Sequence, residues 1–463
     1  MLKPNSLLRS FVLTLTLIST GAASFAATIP QRTLGNGMTV IVKEDHRSPV
    51  AVSMVWYRAG SMDEVSGTTG VAHMLEHMMF KGTQKVPVGE FSRAIARAGG
   101  RDNAFTSRDY TAYYQQLHKS KLSLALELEA DRMVNLSFSG NEFANELKVV
   151  MEERRSRTDD NSRSQLHEQL MASVYMTHPY RSPVIGWMND LQNMQLGDAR
   201  GWYEKWYAPN NATLVVAGDV VPEEVFLLAE KFFGSIPARA LPERKPQIEP
   251  RQFGIKRITV KVPAESAYLV MVYHAPGLRD AENDWEPYAL FVLNGILDGN
   301  DASRLNRELV RNARVANAAN SSYDFINRGP ELFFLDGVPA EGKTAADVEA
   351  ALREQIRLLV EQGVSADELR RVKAQVTAAQ VYARDSVYYQ AMRIGMLQTV
   401  GLPYDSSDLQ VRKLQEVTAD QVREVARKYL IDDNLTVAVL DPQPLPGGKR
   451  PRPQPGGGGH DQR

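Results

Sequence analysis

The sequence predicts an α+β protein of two homologous domains, each an antiparallel-type sheet covered by helices on one face. Three observations carry this. The first is an internal repeat: "TVIV" at Thr39 returns as "TVKV" at Thr259, "MVWYRAG" at Met54 as "MVYHAPG" at Met271, and "WYAPNNATLVVAGD" at Trp206 as "KYLIDDNLTVAVLD" at Lys428. The offsets are 259−39=220, 271−54=217 and, for Tyr207 and Tyr429, 429−207=222, so only small insertions separate two copies of one unit. The second is that alternating runs rich in Val, Ile, Thr and Tyr open and close each copy and read as strands. The third is that long helical stretches lie between them, several with capping boxes: Ser139 with Glu142, Ser365 with Glu368, Thr418 with Gln421. Strands at both ends of a unit, with helices between, place those helices on a sheet face.

In chain order, residues 1–26 come first. Lys3 and Arg9 precede an apolar run from Phe11 to Ile18 and small residues ending Ser24-Phe25-Ala26, the layout of a secretory signal peptide. That run is shorter than the ~20 residues that span a bilayer, and no later segment is long and apolar enough. The expectation is a soluble exported chain, periplasmic in a Gram-negative cell. Residues 27–236 form the first domain. Pro237, Pro242, Pro246 and Pro250 mark 237–252 as a linker. Residues 253–441 form the second domain, and 442–463 read as a disordered Pro/Gly-rich tail. A chain of 463 residues suits two such cores, and 43% hydrophobic with 24% charged residues describes a globular protein. The net charge of -1 gives no general pull toward nucleic acid. The chain has no cysteine, so a zinc site must use His and carboxylate ligands.

The first domain carries "GVAHMLEHMMFKGT", with His73 and His77 four residues apart and Glu76 just before the second. On a helix turning ~100° per residue these three share about one third of the circumference. Histidines at i and i+4 can converge on one Zn²⁺, and a carboxylate on the same face can reach a water beside it. Aligned at the Met54–Met271 offset, the second copy has Leu290, Leu293 and Asn294 there. A third ligand is offered by "SGNEFANELKVVMEERRSRTDD", a helix capped at Ser139 on which Glu146 and Glu153, seven apart, share a face, while Glu152 points about 100° away from Glu153. Aligned by the caps Ser139 and Ser365, the second copy has Val372 and Ala379 at those positions. Both carboxylates vanish together with the histidines. The other histidines, His46, His118, His167, His178, His274 and His460, lack partners at ligand spacing and read as packing or surface residues. "NAFTS", Asn103 to Ser107, lies in a run that reads as a strand after a turn at Gly99-Gly100.

H-x-x-E-H, followed at a distance by Glu153 (153−77=76), resembles the pitrilysin/insulinase family of inverzincin zinc metallopeptidases. The resemblance covers about Thr28 to Leu440, most specifically "GVAHMLEHMMFKGT", "GGRDNAFTSRDYTAYY" and "ANELKVVMEE". It implies a clamshell of homologous domains closing around a peptide. It implies one Zn²⁺ held by His73, His77 and Glu153, Glu76 as general base, and Glu146 in support. The strand edge at Asn103, Ala104, Phe105 and Thr106 would pair with the substrate backbone. Such a site hydrolyses extended peptides at neutral pH, because zinc polarises the carbonyl and acidifies water.

One part of the pattern is missing. Active members carry an arginine and a tyrosine seven residues apart in the second domain, which hold the substrate carbonyl across the clamshell. Aligned from Ser303-Arg304-Leu305, those positions are Val310 and Asn317, and a register using Tyr323 would need an arginine where Ala316 stands. The chain is therefore expected to be the zinc subunit of a bacterial processing-peptidase-like heterodimer, whose homologous partner lacks the zinc ligands and supplies the pair. A self-sufficient homodimeric peptidase and a non-catalytic structural or binding subunit are the alternatives. The intact H-x-x-E-H and Glu153 weigh against the last.

Overall fold

Eleven strands in two sheets order the molecule in the computed structural model, which describes residues 29–445. The first half contributes β1 (Gln31–Thr33), β2 (Thr39–Glu44), β3 (Val50–Tyr57), β4 (Arg101–Thr106), β5 (Thr111–His118) and β6 (Ala212–Gly218), in the order β1-β2-β6-β3-β5-β4. The second contributes β7 (Lys256–Pro263), β8 (Tyr268–Ala275), β9 (Ala316–Ser322), β10 (Glu331–Pro339) and β11 (Leu435–Gln443), in the order β7-β11-β8-β10-β9. Without β1, the two sheets have one topology, as the repeat requires. Each is antiparallel apart from one pair: β2 runs parallel to β6, and β7 to β11. The helices between the opening and closing strands return the chain to the same end of the sheet, as a parallel neighbour needs.

Six helices build the site and join the halves: α1 (Val71–Met78), α2 (Gly140–Arg154) and α3 (Ser162–Val174) in the first half, α4 (Trp285–Asp298), α5 (Ala366–Ala383) and α6 (Val387–Val400) in the second. Side chains alternate across each sheet. On one face Val40, Val42, Val55 and Tyr57 pack under α1 and α2 through Val71, Leu75, Met78, Phe143 and Val150. In the second half Leu269, Met271 and Tyr273 do the same under α4 and α5.

The opposite faces are also covered, contrary to the expectation of one helical layer. Ile41, Val52, Met54, Trp56 and Val215 of the first sheet receive Ala391 and Ile394 of α6, from the second half. Val260, Val262, Val270, Val272 and Leu440 of the second sheet receive Leu166, Leu170 and Val174 of α3, from the first. Each half thus lends the other a helix. A fully buried Leu or Val contributes roughly 1.5–3 kcal/mol, so this exchange is a large share of what joins the halves. Periodicity shows that α3 and α6 are amphipathic. It does not say which sheet an apolar face will meet.

The faces also correct the register of the repeat. Matching Met54 to Met271 would pair a residue on the α6 face with one on the face toward α4. A one-residue slip turns every side chain of a strand to the other side. Shifting the match by one pairs Val55, Tyr57 and Ala59 with Met271, Tyr273 and Ala275, all facing their own helices. In the helices the buried positions Val71, Ala72, Met74, Leu75 and Met78 match Ala289, Leu290, Val292, Leu293 and Ile296 in turn. His73, Glu76 and His77 therefore correspond to Phe291, Asn294 and Gly295 rather than to Leu290, Leu293 and Asn294. None of these replacements is a metal ligand, so the contrast between the copies stands.

The caps at Ser365 and Thr418 are reciprocal, as expected, but Ser139 only accepts the Glu142 N–H, with no return bond from Glu142. Residues 237–252 have no regular structure, yet they are strapped down. Arg244 Nε donates to Asp63 (3.1 Å), Glu249 accepts the N–H groups of Met176, Thr177 and His178, and Gln252 donates to the Leu435 carbonyl (2.6 Å). Arg328 of the second half donates to both carboxylate oxygens of Asp63 (2.9 and 3.2 Å) and to the Asp109 carbonyl (3.0 Å), closing an ionic knot between the halves. β11 runs to Gln443, so the boundary expected at 442 lies inside its pairing with β7. The expected signal peptide and the rest of the tail lie outside the described residues. No described helix is long and apolar enough to cross a membrane.

Candidate metal centre

The motif helix α1 is aimed by its own first turn. Gly70 caps it with φ 87°, and a Cβ there would lie 2.5 Å from the Ile185 carbonyl oxygen, so only glycine fits. The Glu64 carboxylate accepts the N–H groups of Gly70 and Ala72, each at 2.9 Å. With Met74, Leu75 and Met78 buried on one side, His73, Glu76 and His77 emerge together on the other. α2 crosses this side and is anchored by Arg154, which grips Glu168 of α3 bidentately (2.7 and 2.9 Å) and donates to the Gly186 carbonyl (3.1 Å).

The three expected metal ligands converge. Glu153 Oε2 lies 3.5 Å from His77 Nε2 and 3.8 Å from His73 Nε2. A tetrahedral ion with bonds of ~2.0–2.2 Å needs ligand atoms about 3.3 Å apart; the two carboxylate–imidazole edges come near this, and all three ligand atoms lie within 4.8 Å of one another. His73, His77 and Glu153 are the one group able to hold a metal among the described residues. Glu152 points to solvent and pairs with Arg155 (2.9 Å). Burial pushes His73 down to about 4, which keeps its imidazole neutral, the form that ligates metal. Burial also lowers His77, but hydrogen bonds to the Glu153 and Glu146 carboxylates outweigh it and leave its pKa raised. The bond with His77 holds Glu153 below the usual carboxylate value despite its burial.

Glu76 lies beside this set without joining it. Its Oε2 accepts from Thr106 Oγ1 at 2.5 Å, a bond that ties the carboxylate to β4. Burial raises the Glu76 carboxyl above its ordinary value, against the Thr106 bond. Glu146 accepts the His77 Nδ1–H at 3.1 Å through Oε2, and Lys81 Nζ lies 2.5 Å from its Oε1. Arg157, in the π-helical turn Arg155–Asp159, reaches Glu153 Oε1 at 2.7 Å. Lys81, Arg157 and the Thr106 hydroxyl bond escape sequence reasoning. A basic residue near each carboxylate is the available signal.

β4 is the edge of its sheet. Asn103, Ala104, Phe105 and Thr106 all lie on it, Phe105 turned to the far face against Trp56 (5.5 Å between rings). The Ala104 N–H is taken by Asn103 Oδ1 (2.9 Å). At the positions expected to hold an arginine and a tyrosine, Val310 packs on the second core and Asn317 donates to the Pro339 carbonyl (3.3 Å). Tyr323 is buried, its hydroxyl bonded to the Pro276 carbonyl.

The family model "Insulinase (Peptidase family M16)" matches residues 39–187, and "Peptidase M16 inactive domain" matches residues 193–376. The zinc protease PqqE of Helicobacter pylori is 32% identical over 438 residues, covering 92% of this chain and 96% of that one. The crystal structure of a protease from Helicobacter pylori superposes with a TM-score of 0.84 at 29% identity, over 90% of this chain and 100% of that one. The periplasmic protease PqqL of Escherichia coli shares the fold at a TM-score of 0.77 and 19% identity, over 90% of this chain and 48% of that one.

Proposed function

Because the chain belongs to the insulinase family of peptidases, M16, we propose that it is a zinc-dependent endopeptidase, or the zinc-carrying subunit of one, that hydrolyses extended peptides or unfolded protein segments. The observation that carries this is the convergence of His73 Nε2, His77 Nε2 and Glu153 Oε2 beside Glu76, a carboxylate held by Thr106 through one oxygen. Zinc held by the three ligands would polarise the scissile carbonyl and acidify the attacking water. Glu76 Oε1, free of the Thr106 bond, takes the proton from that water and later delivers it to the leaving amine. Thr106 keeps Oε2 occupied, so the proton is handled at one defined atom.

The same hydroxyl places β4 next to the base. A substrate strand added to the β4 edge would therefore bring its own backbone to Glu76, with affinity from the main chain and modest side-chain specificity. It would have to take over the Ala104 N–H from Asn103. Val310 and Asn317 offer no charged or phenolic group to hold the carbonyl oxygen, and one lost donor of that kind can cost ~10² to 10³ in rate. The reading therefore includes a heterodimer with a homologous chain lacking the zinc ligands and supplying an arginine and a tyrosine. The basic-then-apolar pattern of residues 1–26 supports a periplasmic location for the pair.

Metal analysis and peptide cleavage test this reading. The purified chain should carry one zinc, lost in His77→Ala and in Glu153→Ala. Glu76→Gln should keep the zinc and lose cleavage by ~10²-fold or more. Mixing the chain with its partner should cleave peptides far faster than either chain alone. Equal rates for this chain alone would remove the heterodimer from the reading. Zinc content unchanged in His77→Ala would remove the site.

A further inference from the structure

Lys81 sits just beyond α1, outside the H-x-x-E-H motif, yet it ends a line of contacts that leads into the metal site. Its Nζ is 2.5 Å from Glu146 Oε1, and the other oxygen of that carboxylate is 3.1 Å from His77 Nδ1. All three side chains are mostly buried, at 21%, 13% and 21% exposure for Lys81, Glu146 and His77. A carboxylate accepts, so Glu146 engages His77 through Nδ1 and leaves Nε2, the atom facing Glu153, as the one available to an ion.

The two ligand histidines differ in this respect. His73 Nδ1 is buried and finds no hydrogen-bond partner among the described residues, so none of them fixes that ring through its second nitrogen. Of the two rings, His77 is the one held through its second nitrogen, by the line Lys81 to Glu146 to His77. The second half supplies a control. In the register set by helix burial, His77 and Lys81 correspond to Gly295 and Gly299, and Glu146 to Val372. All three members are gone together. There the helices meet through carbon, a Cβ on Gly295 falling 2.6 Å from Val372 Cγ1.

We propose that Lys81 is a positioning residue of the metal site: its ammonium fixes Glu146 so that the free carboxylate oxygen takes the His77 Nδ1–H and Nε2 is presented to the ion. This rests on the zinc reading above. Charge-assisted hydrogen bonds at both ends make the line stiff, and losing such an outer partner typically costs ~10–100-fold in metal affinity. A merely structural ion pair between the end of α1 and α2 would affect unfolding but not zinc.

The test uses the full chain stripped of zinc, with affinity measured by competition against a chromophoric chelator. Lys81→Met should bind zinc about tenfold more weakly, while Lys81→Arg, which keeps the charge, should stay within about threefold. In the zinc-loaded chain the His77 Nδ1–H, held by Glu146, should exchange slowly with solvent in the wild type and markedly faster in Lys81→Met. Adding Lys81→Met to Glu146→Gln should weaken binding no further, because Lys81 acts through that carboxylate. Wild-type zinc affinity and wild-type Nδ1–H exchange in Lys81→Met would overturn the proposal, as would a loss that adds in full to that of Glu146→Gln. Should Lys81→Met fail to fold, Lys81→Gln carries the same expectations and the same means of refutation. A wild type that binds no zinc at all would instead refute the metal reading, and the proposal with it.

Discussion

The helix pair α1 and α2 in the first half and the pair α4 and α5 in the second occupy the same place over sheets of the same topology, and they are joined by opposite means. In the first, imidazoles and carboxylates stand between the helices, partly exposed. In the second, Gly295 lets Val372, 2% exposed, close against α4, and the space is filled with carbon. The architecture thus needs only close packing at this crossing. The imidazoles and carboxylates of the first half are therefore not demanded by the packing, and burial works against His73 and Glu76.

Reciprocal exchanges test that contrast. The greatest effect is expected from Gly295→His, whose Cβ alone would fall 2.6 Å from Val372 Cγ1; inserting a whole imidazole there should destabilise the chain by about 5 kcal/mol or more. Adding Val372→Ala should return part of the loss, since the two sites share one space. Full additivity in denaturant titrations would contradict a shared space.

Next come the exchanged helices. Aligned by their N-caps, Asn161 and Ser386, α3 and α6 place Leu170 and Gly395 at one position. Leu170→Ala should cost roughly 2–5 kcal/mol by leaving a cavity on the second sheet. Gly395→Ala should cost roughly 1–3 kcal/mol for the opposite reason, because a Cβ there falls 2.1 Å from the Trp56 indole. A gain in melting temperature for Gly395→Ala would mean that helix propensity outweighs the contact.

A lesser effect concerns pH. His178 is fully buried, accepts the Tyr180 N–H at Nδ1 (3.2 Å) and lies against Gly329 of the second half. Burial lowers its pKa from 6.5 to about 4. Between those values the unfolded chain binds the proton and the folded one does not. The stability His178 lends is therefore present above pH 6.5 and lost as pH falls toward 4. The loss should reach about 1 kcal/mol at pH 5.5. His178→Asn, which can still accept the Tyr180 N–H, should flatten the curve of melting temperature against pH in this range. An unchanged curve would assign acid sensitivity to other groups.

The slightest change in stability is expected at the residue most telling for function. Glu76→Leu removes a carboxyl that burial disfavours. It should leave the melting temperature unchanged or slightly higher while ending peptide cleavage. A marked loss of stability would make Glu76 a structural residue.

Much of this is legible in the sequence. Helical spacing puts His73, Glu76 and His77 on one face and Glu146 and Glu153 on another, and the structure brings the two faces together. The strand runs and the repeat foretell both sheets. The register of the repeat slips by one residue when read from letters, because the match of Met54 with Met271 competes with the match of faces, and only burial reveals the face. Lys81 and Arg157 are unreadable as site residues because their role depends on which helix crosses which. The destination of α3 and α6 is unreadable for a related reason: an apolar stripe specifies that it will be buried, and not by whom.

The exchange of α3 and α6 changes what a cut in the chain would mean. Severing residues 237–252 would not release two independent bodies, because each piece would keep a helix that belongs on the other's sheet and would bare an apolar face by leaving. A chain nicked there is expected to elute as a single species under native conditions. Its two pieces, expressed separately, should recover structure only by complementing each other. The linker is in that sense a relic of how the molecule is encoded, and the tether between the halves is woven rather than strung.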